Sequence, residues 1–469
     1  MSHESMTAVE RRAALSLAAI FSFRMLGMFM ILPVFSLYAS ETFGAVEPVL
    51  IGLAIGAYGL SQAALQVPFG MLSDRLGRKP VIAFGLVIFA LGSAMAASAD
   101  SITGIILGRV VQGGGAIAAV VMALAADLTR EEHRTKAMAL IGISIGLSFA
   151  ASLAAGPVLN HWIGVPGIFW LTALLALVGI ALLYLVVPDP ARHRTHRDTG
   201  AVPGFFGQVL RDPQLQRLDG GIFALHCILT ASFVALPFAL RDFAGVETSR
   251  HGYVYLPVLL VALAAMVPLV VIAEKRRRLK EVFLSAVAGI ALAELGLAFF
   301  HHSLAAIVAL LLLFFVAFNV LEALLPSLIA KFAPADKKGT AMGVYSTSQF
   351  LGAFTGGVAG GMLYGHGGIG GVFGFCALAA ALWWLWARTM APPRYLSSYM
   401  ISMGESRTGA SGAETARRER ALLEMPGVAE AVVVMEEGVA YLKVDSRAVD
   451  YARLDRLAAE WAAGGATNS

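Results

Sequence analysis

Over the first 390 residues, apolar positions run in blocks of about twenty, without the one-sided or alternating pattern of water-facing elements. A helix needs roughly 20 such residues, at about 1.5 Å each, to cross a hydrocarbon core. Windows of that length predict twelve spans, near 14–39, 50–72, 80–98, 101–125, 136–159, 166–187, 218–240, 252–273, 281–300, 304–330, 339–363 and 370–389. The first is too long and lacks a small-residue cleavage site, so it is expected to be retained as a helix. Beyond residue 395 the pattern changes. A strand (YLSSYMISM), a helix (ETARRERALLEM), two strands (GVAEAVVVMEE and VAYLKVDS) around Gly438 and a last helix (DYARLDRLAAEWAA) follow one another. That order predicts a small ferredoxin-like α/β sandwich.

Composition sharpens the contrast. The 469 residues are 58% hydrophobic and 14% charged. Residues 1–390 carry 26 Lys+Arg and 20 Asp+Glu, about 12%, whereas residues 391–469 carry 9 and 11, about 25%, the soluble average. A soluble enzyme, a disordered chain and a disulfide scaffold are thereby excluded. An all-α polytopic membrane body with a small soluble α/β domain at its C-terminal end is expected. Cys227 and Cys376 both fall inside apolar segments, and residues 391–469 hold neither Cys nor His, so no metal site or cofactor is expected.

Basic residues alternate between loops. One set of loops holds 21 Lys and Arg, from Arg11 and Arg12 to Lys337 and Lys338, and the other holds only Arg241 and Arg250. By the positive-inside rule both termini, the central loop and the C-terminal domain are expected in the cytoplasm of a bacterial inner-membrane protein. The longest connection, rich in Pro, Arg and His and then amphipathic, predicts four parts: a six-helix lobe over 1–189, a linker with a surface helix over 190–217, a second lobe over 218–391, and the soluble domain over 395–464. The lobes also resemble each other. Ala137-Met138 and Gly156 recur as Ala341-Met342 and Gly360, a shift of 204, and the basic turn Asp74–Lys79 recurs near Lys275–Lys280, a shift of about 201. Such repeats mark two-lobed secondary transporters.

Three motifs carry a family resemblance. Between spans two and three stands Gly70 to Lys79, GMLSDRLGRK, with glycines at Gly70 and Gly77 and charges of both signs at Asp74, Arg75 and Arg78. This resembles the signature loop of the major facilitator superfamily. The fourth span carries Arg109-Val-Val-Gln112-Gly113, similar to the second motif of its proton-coupled members. The fifth span ends on Gly156-Pro157 like the antiporter motif, departing from it afterwards at Asn160-His161. The resemblance covers about 12–390, and the tail extends it to twelve-span drug:proton antiporters with a YAM-type C-terminal domain. It implies a cytoplasmic gate in which Asp74 faces the start of the eleventh span near Gly339 while Arg78 pairs with Asp127. It also implies a coupling role for Arg109 and Gln112.

An ionisable group at mid-membrane costs at least ~2.5–3.5 kcal/mol, so each is a functional candidate. Arg24 lies about ten residues into the first span, beside Asn319 and Gln349 as candidate cavity residues for a small-molecule substrate. Glu322, then Glu294 and His226, are candidate proton carriers. With no HExxH motif and no convincing nucleophile–base pair in a span, an intramembrane enzyme is not expected. The leading expectation is proton-coupled efflux, driven by the proton gradient through alternating access. Uncoupled or import-direction facilitation and a tail-regulated sensor are the alternatives. The expected partners are a small-molecule substrate, protons and membrane lipids, with no nucleic acid. The tail is a candidate for regulation or oligomer contact, although a monomer suffices.

Overall fold

The computed structural model describes residues 6–44, 46–189, 203–334, 337–393, 396–403, 412–435, 438–445 and 448–466. Among them, ten helices are long and apolar enough to cross a membrane. Two of these run for 50 residues, Lys136–Leu185 and Lys338–Ala387. At about 1.5 Å per residue each would be about 75 Å long, over twice a ~30 Å hydrocarbon core. Each is broken internally, at Gly164 (φ 67°) and Gly368 (φ 60°), so each supplies two antiparallel spans and the twelve predicted segments are all present.

In chain order the helices are α1 Ala8–Phe29, α2 Phe35–Thr42, α3 Pro48–Leu76, α4 Arg78–Ala97, α5 Ile102–Gly113, α6 Ala118–Asp127, α7 Glu131–Leu185, α8 Phe206–Arg211, α9 Pro213–Phe238, α10 His251–Lys275, α11 Leu279–Phe300, α12 Leu304–Phe332 and α13 Lys338–Ala387. The first predicted span is two helices, because the chain turns over Met30–Val34 around Pro33, which has no backbone N–H to donate. The fourth is interrupted at Gly114–Ile117. The seventh starts at Pro213, earlier than the expected 218. Proline suits the first helical position, and the Asp212 carboxylate caps the backbone N–H groups of Gln214 (2.7 Å) and Leu215 (3.2 Å). The Pro/Arg/His-rich part of the linker, 190–202, lies outside the described residues.

The internal repeat is written in the backbone. Left-handed residues pair between the halves as Gly44 with Gly245, Gly77 with Arg277, and Gly164 with Gly368. The shifts are 201, 200 and 204. Aligned on Gly77 and Arg277, Asp74 corresponds to Glu274 and Arg78 to Arg278, a one-residue refinement of the expected register.

Contacts divide the chain into two compact units: one of Met1–Arg194, Gln216–Leu325 and Gly343–Met390, the other of Thr195–Leu215, Pro326–Met342 and Ala391–Ser469. In the first, the lobes meet through glycines on the basic-poor half. A β-carbon on Gly52 would fall 1.9 Å from the Gly357 carbonyl oxygen, one on Gly59 2.5 Å from that of Phe350, and one on Gly361 2.4 Å from that of Pro48. Backbones this close gain dispersion that larger side chains would forbid. A neighbouring stripe of the same helix, Gly352, Gly356 and Gly360, packs as tightly on Phe223, Cys227 and Ala231 of its own lobe. Arg241 and Glu41 add an ion pair between the lobes at 2.5 Å, and the Ser36 hydroxyl donates to the Phe233 carbonyl at 3.3 Å. The basic-poor side is therefore sealed.

In the second unit, β1 Ser397–Ser402, α14 Gly412–Leu423, β2 Val428–Val434, β3 Val439–Val444 and α15 Tyr451–Ala466 form an antiparallel sheet of order β1-β3-β2 with helices on one face. Ile401, Val433, Ala440 and Leu442 pack under Leu422 and Leu454. The other sheet face, Met400, Val432, Val434, Val439 and Tyr441, is also apolar, and its buried Lys443 donates to the Lys331 carbonyl at the end of α12 (2.6 Å). Lys337 reaches Gln208 of α8 at 2.5 Å. Tail, surface helix and the α12–α13 connection thus share one body.

Gly357→Val overpacks the seal by about 1–3 kcal/mol. The expected outcome is faster maleimide labelling, from the basic-poor side, of a cysteine placed at Ser36; unchanged labelling would show that the glycine contact does not hold this side closed.

Candidate functional site

At the turn between α3 and α4, Gly77 (φ 92°) ends one helix and starts the next with no linker. The reversal folds the Arg78 side chain back onto three groups. Its guanidinium meets Asp127 at 3.2 Å, Asp74 at 2.5 Å and the Ser73 hydroxyl at 2.6 Å. Arg78 and Asp127 are buried, while Asp74 is 27% exposed. Gly70 faces Ala119 of α6, Arg75 is exposed, and Gly339 lies in the first turn of α13. The motif therefore assembles an acid–base–acid latch on one lobe.

Deeper in that lobe, two guanidinium groups flank one phenol. Arg24, 1% exposed, donates to the Tyr58 hydroxyl and the Gln62 carbonyl, and Gln62 donates on to Gln66 at 2.7 Å. Arg109 lies over the Tyr58 ring at 5.0 Å. It donates to Gln112 at 2.5 Å and to the Ala54 and Ile55 carbonyls at 3.4 and 3.3 Å; Gln112 in turn donates to Ser93 at 2.8 Å. Arg109 is thus fully engaged by α3 and its own turn. Arg24 keeps Nε and Nη1 buried without a hydrogen-bond partner.

The second lobe holds the titratable groups. His226 of α9, Glu322 and Asn319 of α12 and Gln349 of α13 come together. His226 Nε2 is 2.8 Å from the Gln349 amide nitrogen and 3.6 Å from Glu322. When the imidazole is neutral at Nε2, the Gln349 amide donates to it; when Nε2 is protonated, it faces the Glu322 carboxylate. The Glu322 side chain is 34% exposed, and neither its Oε1 nor the Asn319 amide nitrogen has a hydrogen-bond partner. Phe318 links this cluster to the other lobe: its ring lies 6.0 Å from His226 and stacks on Phe149 of α7 at 5.7 Å. Glu294, by contrast, is fully buried and takes the Ser232 hydroxyl at 2.8 Å, with Cys376 beyond, apart from the cluster.

Gly156 packs against the Met30 carbonyl, where a β-carbon would come within 2.4 Å, and Pro157 continues α7. Ser144 has the spacing of a hydrolase nucleophile, Gly142-Ile-Ser144-Ile-Gly146, but it lies in mid-helix and donates to the Ile141 carbonyl at 2.7 Å, not on a strand-to-helix elbow. Sequence reasoning missed Tyr58, Gln62 and Gln66. Their spacing of four places them on one stripe of an apolar span, which was the available signal. Ser93 and Ser232 carried no such signal.

Residues 17–356 and 257–400 match the family model described as Major Facilitator Superfamily, and residues 409–458 match the YajR YAM domain. The inner membrane transport protein YajR of Escherichia coli (strain K12) is 50% identical over 95% of this chain and 97% of its own. The multidrug resistance protein MdtH of Aeromonas hydrophila is 28% identical over 73% of this chain and 85% of its own. A crystal structure of a bacterial homolog to the human lysosomal transporter Spinster, inward-facing and occupied, superposes with a TM-score of 0.66 at 16% identity, covering 82% of this chain and 98% of that one.

Arg78→Ala takes the charged partner away from the buried Asp127 carboxylate, at a cost of about 3–5 kcal/mol. Asp74→Asn removes a partly exposed partner, at about 1 kcal/mol or less. Thermal unfolding in detergent is expected to show a much larger fall in Tm for the first; equal falls would mean that Asp127 is stabilised by something other than Arg78.

Proposed function

The chain belongs to the major facilitator superfamily, and from that premise we propose that it is a proton-coupled exporter of a small molecule, working by alternating access in a bacterial inner membrane. The observation that carries this reading is the cluster of His226, Glu322 and Gln349, where a mid-membrane carboxylate is partly exposed and lies beside a histidine with two alternative partners. A proton arriving at His226 exchanges the Gln349 contact for a Glu322 contact, so protonation and side-chain rearrangement are one event. The stacking of Phe318 on Phe149 connects that event to the contact between lobes. A relative named as an inner membrane transport protein and another named for multidrug resistance support location and direction.

In this cycle Glu322 with His226 loads and releases the proton, Arg24, Asn319 and Gln349 serve the substrate, and Arg109 with Gln112 holds the first lobe rigid behind them. Glu294 plays a structural part through Ser232. The Asp74–Arg78–Asp127 latch reorganises as the basic-rich side opens and closes.

Proteoliposomes with an imposed pH gradient, a fluorescent proton probe and a panel of drugs, sugars and amino acids test this. Compound-triggered proton movement is expected, reduced on the order of tenfold or more in Glu322→Gln, as for loss of an obligatory mid-membrane carboxylate, and retained in Glu294→Gln. Flux of the same compound that ignores the pH gradient in all variants would replace coupling with facilitation.

A regulatory role for the tail is favoured by one specific contact. Lys443 buries its ammonium group to reach the end of α12, whose continuation leads into the eleventh span. Lys443→Met removes that bond, and limited proteolysis should then cleave the tail sooner while the transport rate changes. A tail released with the rate unaltered would leave it as an appendage.

A further inference from the structure

At the basic-rich end of the first lobe, a cavity of about 450 Å³ opens between the start of α1 and the end of the sixth span. Arg11 and Arg12 stand at its rim, and Leu15, Ala19, Leu182 and Val186 line the rest. Arg11, Leu15 and Ala19 follow one another at intervals of four, so they form one stripe running from the helix start about 12 Å toward the membrane interior. Charge lies at the water-facing end of this stripe and apolar surface below.

No carboxylate of the described residues neutralises Arg11 or Arg12. Both are exposed, and among the described residues neither has a carboxylate partner; Arg12 makes one long bond to the Leu185 carbonyl at 3.4 Å. The adjacent acid, Glu10, is turned away into a bidentate contact with Arg130 at 3.0 and 3.3 Å. Asp189, beyond the sixth span, is held by Lys79 at 2.6 Å. Two uncompensated guanidinium groups therefore sit over a trough whose Leu15 is 52% exposed.

We propose that this cavity binds an anionic phospholipid of the leaflet on the basic-rich side. The headgroup phosphate lies between Arg11 and Arg12, and an acyl chain fills the trough along Leu15, Ala19, Leu182 and Val186. A soluble anion would satisfy the guanidinium groups and leave the trough open, and a neutral alkyl chain would do the reverse. A lipid with net negative charge matches both ends, as basic pockets between membrane helices do. Bound there, it bridges the first and sixth spans at the rim of the lobe.

The test is native mass spectrometry of the full chain, delipidated in mild detergent and titrated with dioleoylphosphatidylglycerol, with dioleoylphosphatidylethanolamine as the zwitterionic comparison. One tightly retained phosphatidylglycerol is expected, with apparent affinity falling about tenfold or more in Arg11→Ala/Arg12→Ala, as for loss of a paired charge contact. Arg11→Ala alone, which removes no side-chain hydrogen bond or ion pair among the described residues, should weaken binding without changing Tm. Ala19→Trp, which fills the trough and leaves both arginines, should also lose the lipid. Arg276→Ala/Arg277→Ala, in another basic loop, should keep it. Equal loss in that loop variant would reduce the effect to general surface charge and overturn the site. Displacement of the lipid by millimolar glycerol phosphate would overturn it in favour of a soluble anion, and equal retention of the two lipids would remove the charge requirement.

Discussion

A hydrocarbon surround satisfies no hydrogen bond and gives helices no hydrophobic reason to meet, so both polar pairing and close packing must come from the chain itself. The rest of this structure follows from that constraint. Glycine is placed where backbones must touch, and α13 uses it twice. Gly352, Gly356 and Gly360 fix the helix to its own lobe, while Gly357 and Gly361 meet the other lobe across the seal. One helix thus carries a permanent interface and a separable one on adjacent stripes. The separable one holds backbone against backbone with few polar bonds to break, which suits a contact that must open and re-form.

The same constraint divides labour between the lobes. In the first, the buried cations cannot change charge, and Arg109 is locked by two backbone carbonyls and Gln112. In the second, the mid-membrane groups include His226, Glu294 and Glu322, which can. Glu322 is partly exposed and faces His226, whereas Glu294 takes the Ser232 hydroxyl on one oxygen and is sealed. In the proposed cycle this gives rigidity on one side and proton exchange on the other, since a switch must push against something fixed.

Much of this was legible in the sequence. Twelve apolar blocks, loop charge and the signature turn sufficed for the spans, because span length and motif chemistry are local properties. The tail's order of strand, helix, two strands and helix was read correctly for the same reason. What local pattern could not give was partner choice. Glu294 and Glu322 look alike in sequence, each a lone carboxylate in an apolar run, and only the packing of α9 against α11 and α12 separates a Ser232-bonded structural group from a histidine-facing one. The break in the first span was also missed, since Pro33 is tolerated inside many membrane helices and its effect depends on what packs beside it. The tail's attachment through Lys443 was invisible, because a lysine on a strand reads as solvent-facing until its sheet face is seen to be covered.

The repeat shows why the latch belongs to one lobe. Asp74 and Arg78 have counterparts in Glu274 and Arg278, so the second half retains the charges of the turn itself. Its turn residue is Arg277 where the first half has Gly77, and a left-handed residue with a side chain costs about 1–2 kcal/mol more than glycine. The third member is missing altogether. Shifts of 200 to 204 from Asp127 reach Ser327 to Lys331, none of them acidic. Without a carboxylate at the position equivalent to Asp127, the second turn lacks the group that draws Arg78 inward in the first. Two halves descended from one pattern therefore keep the same turn while only one keeps the acid–base–acid arrangement, and that asymmetry assigns the latch to the first lobe.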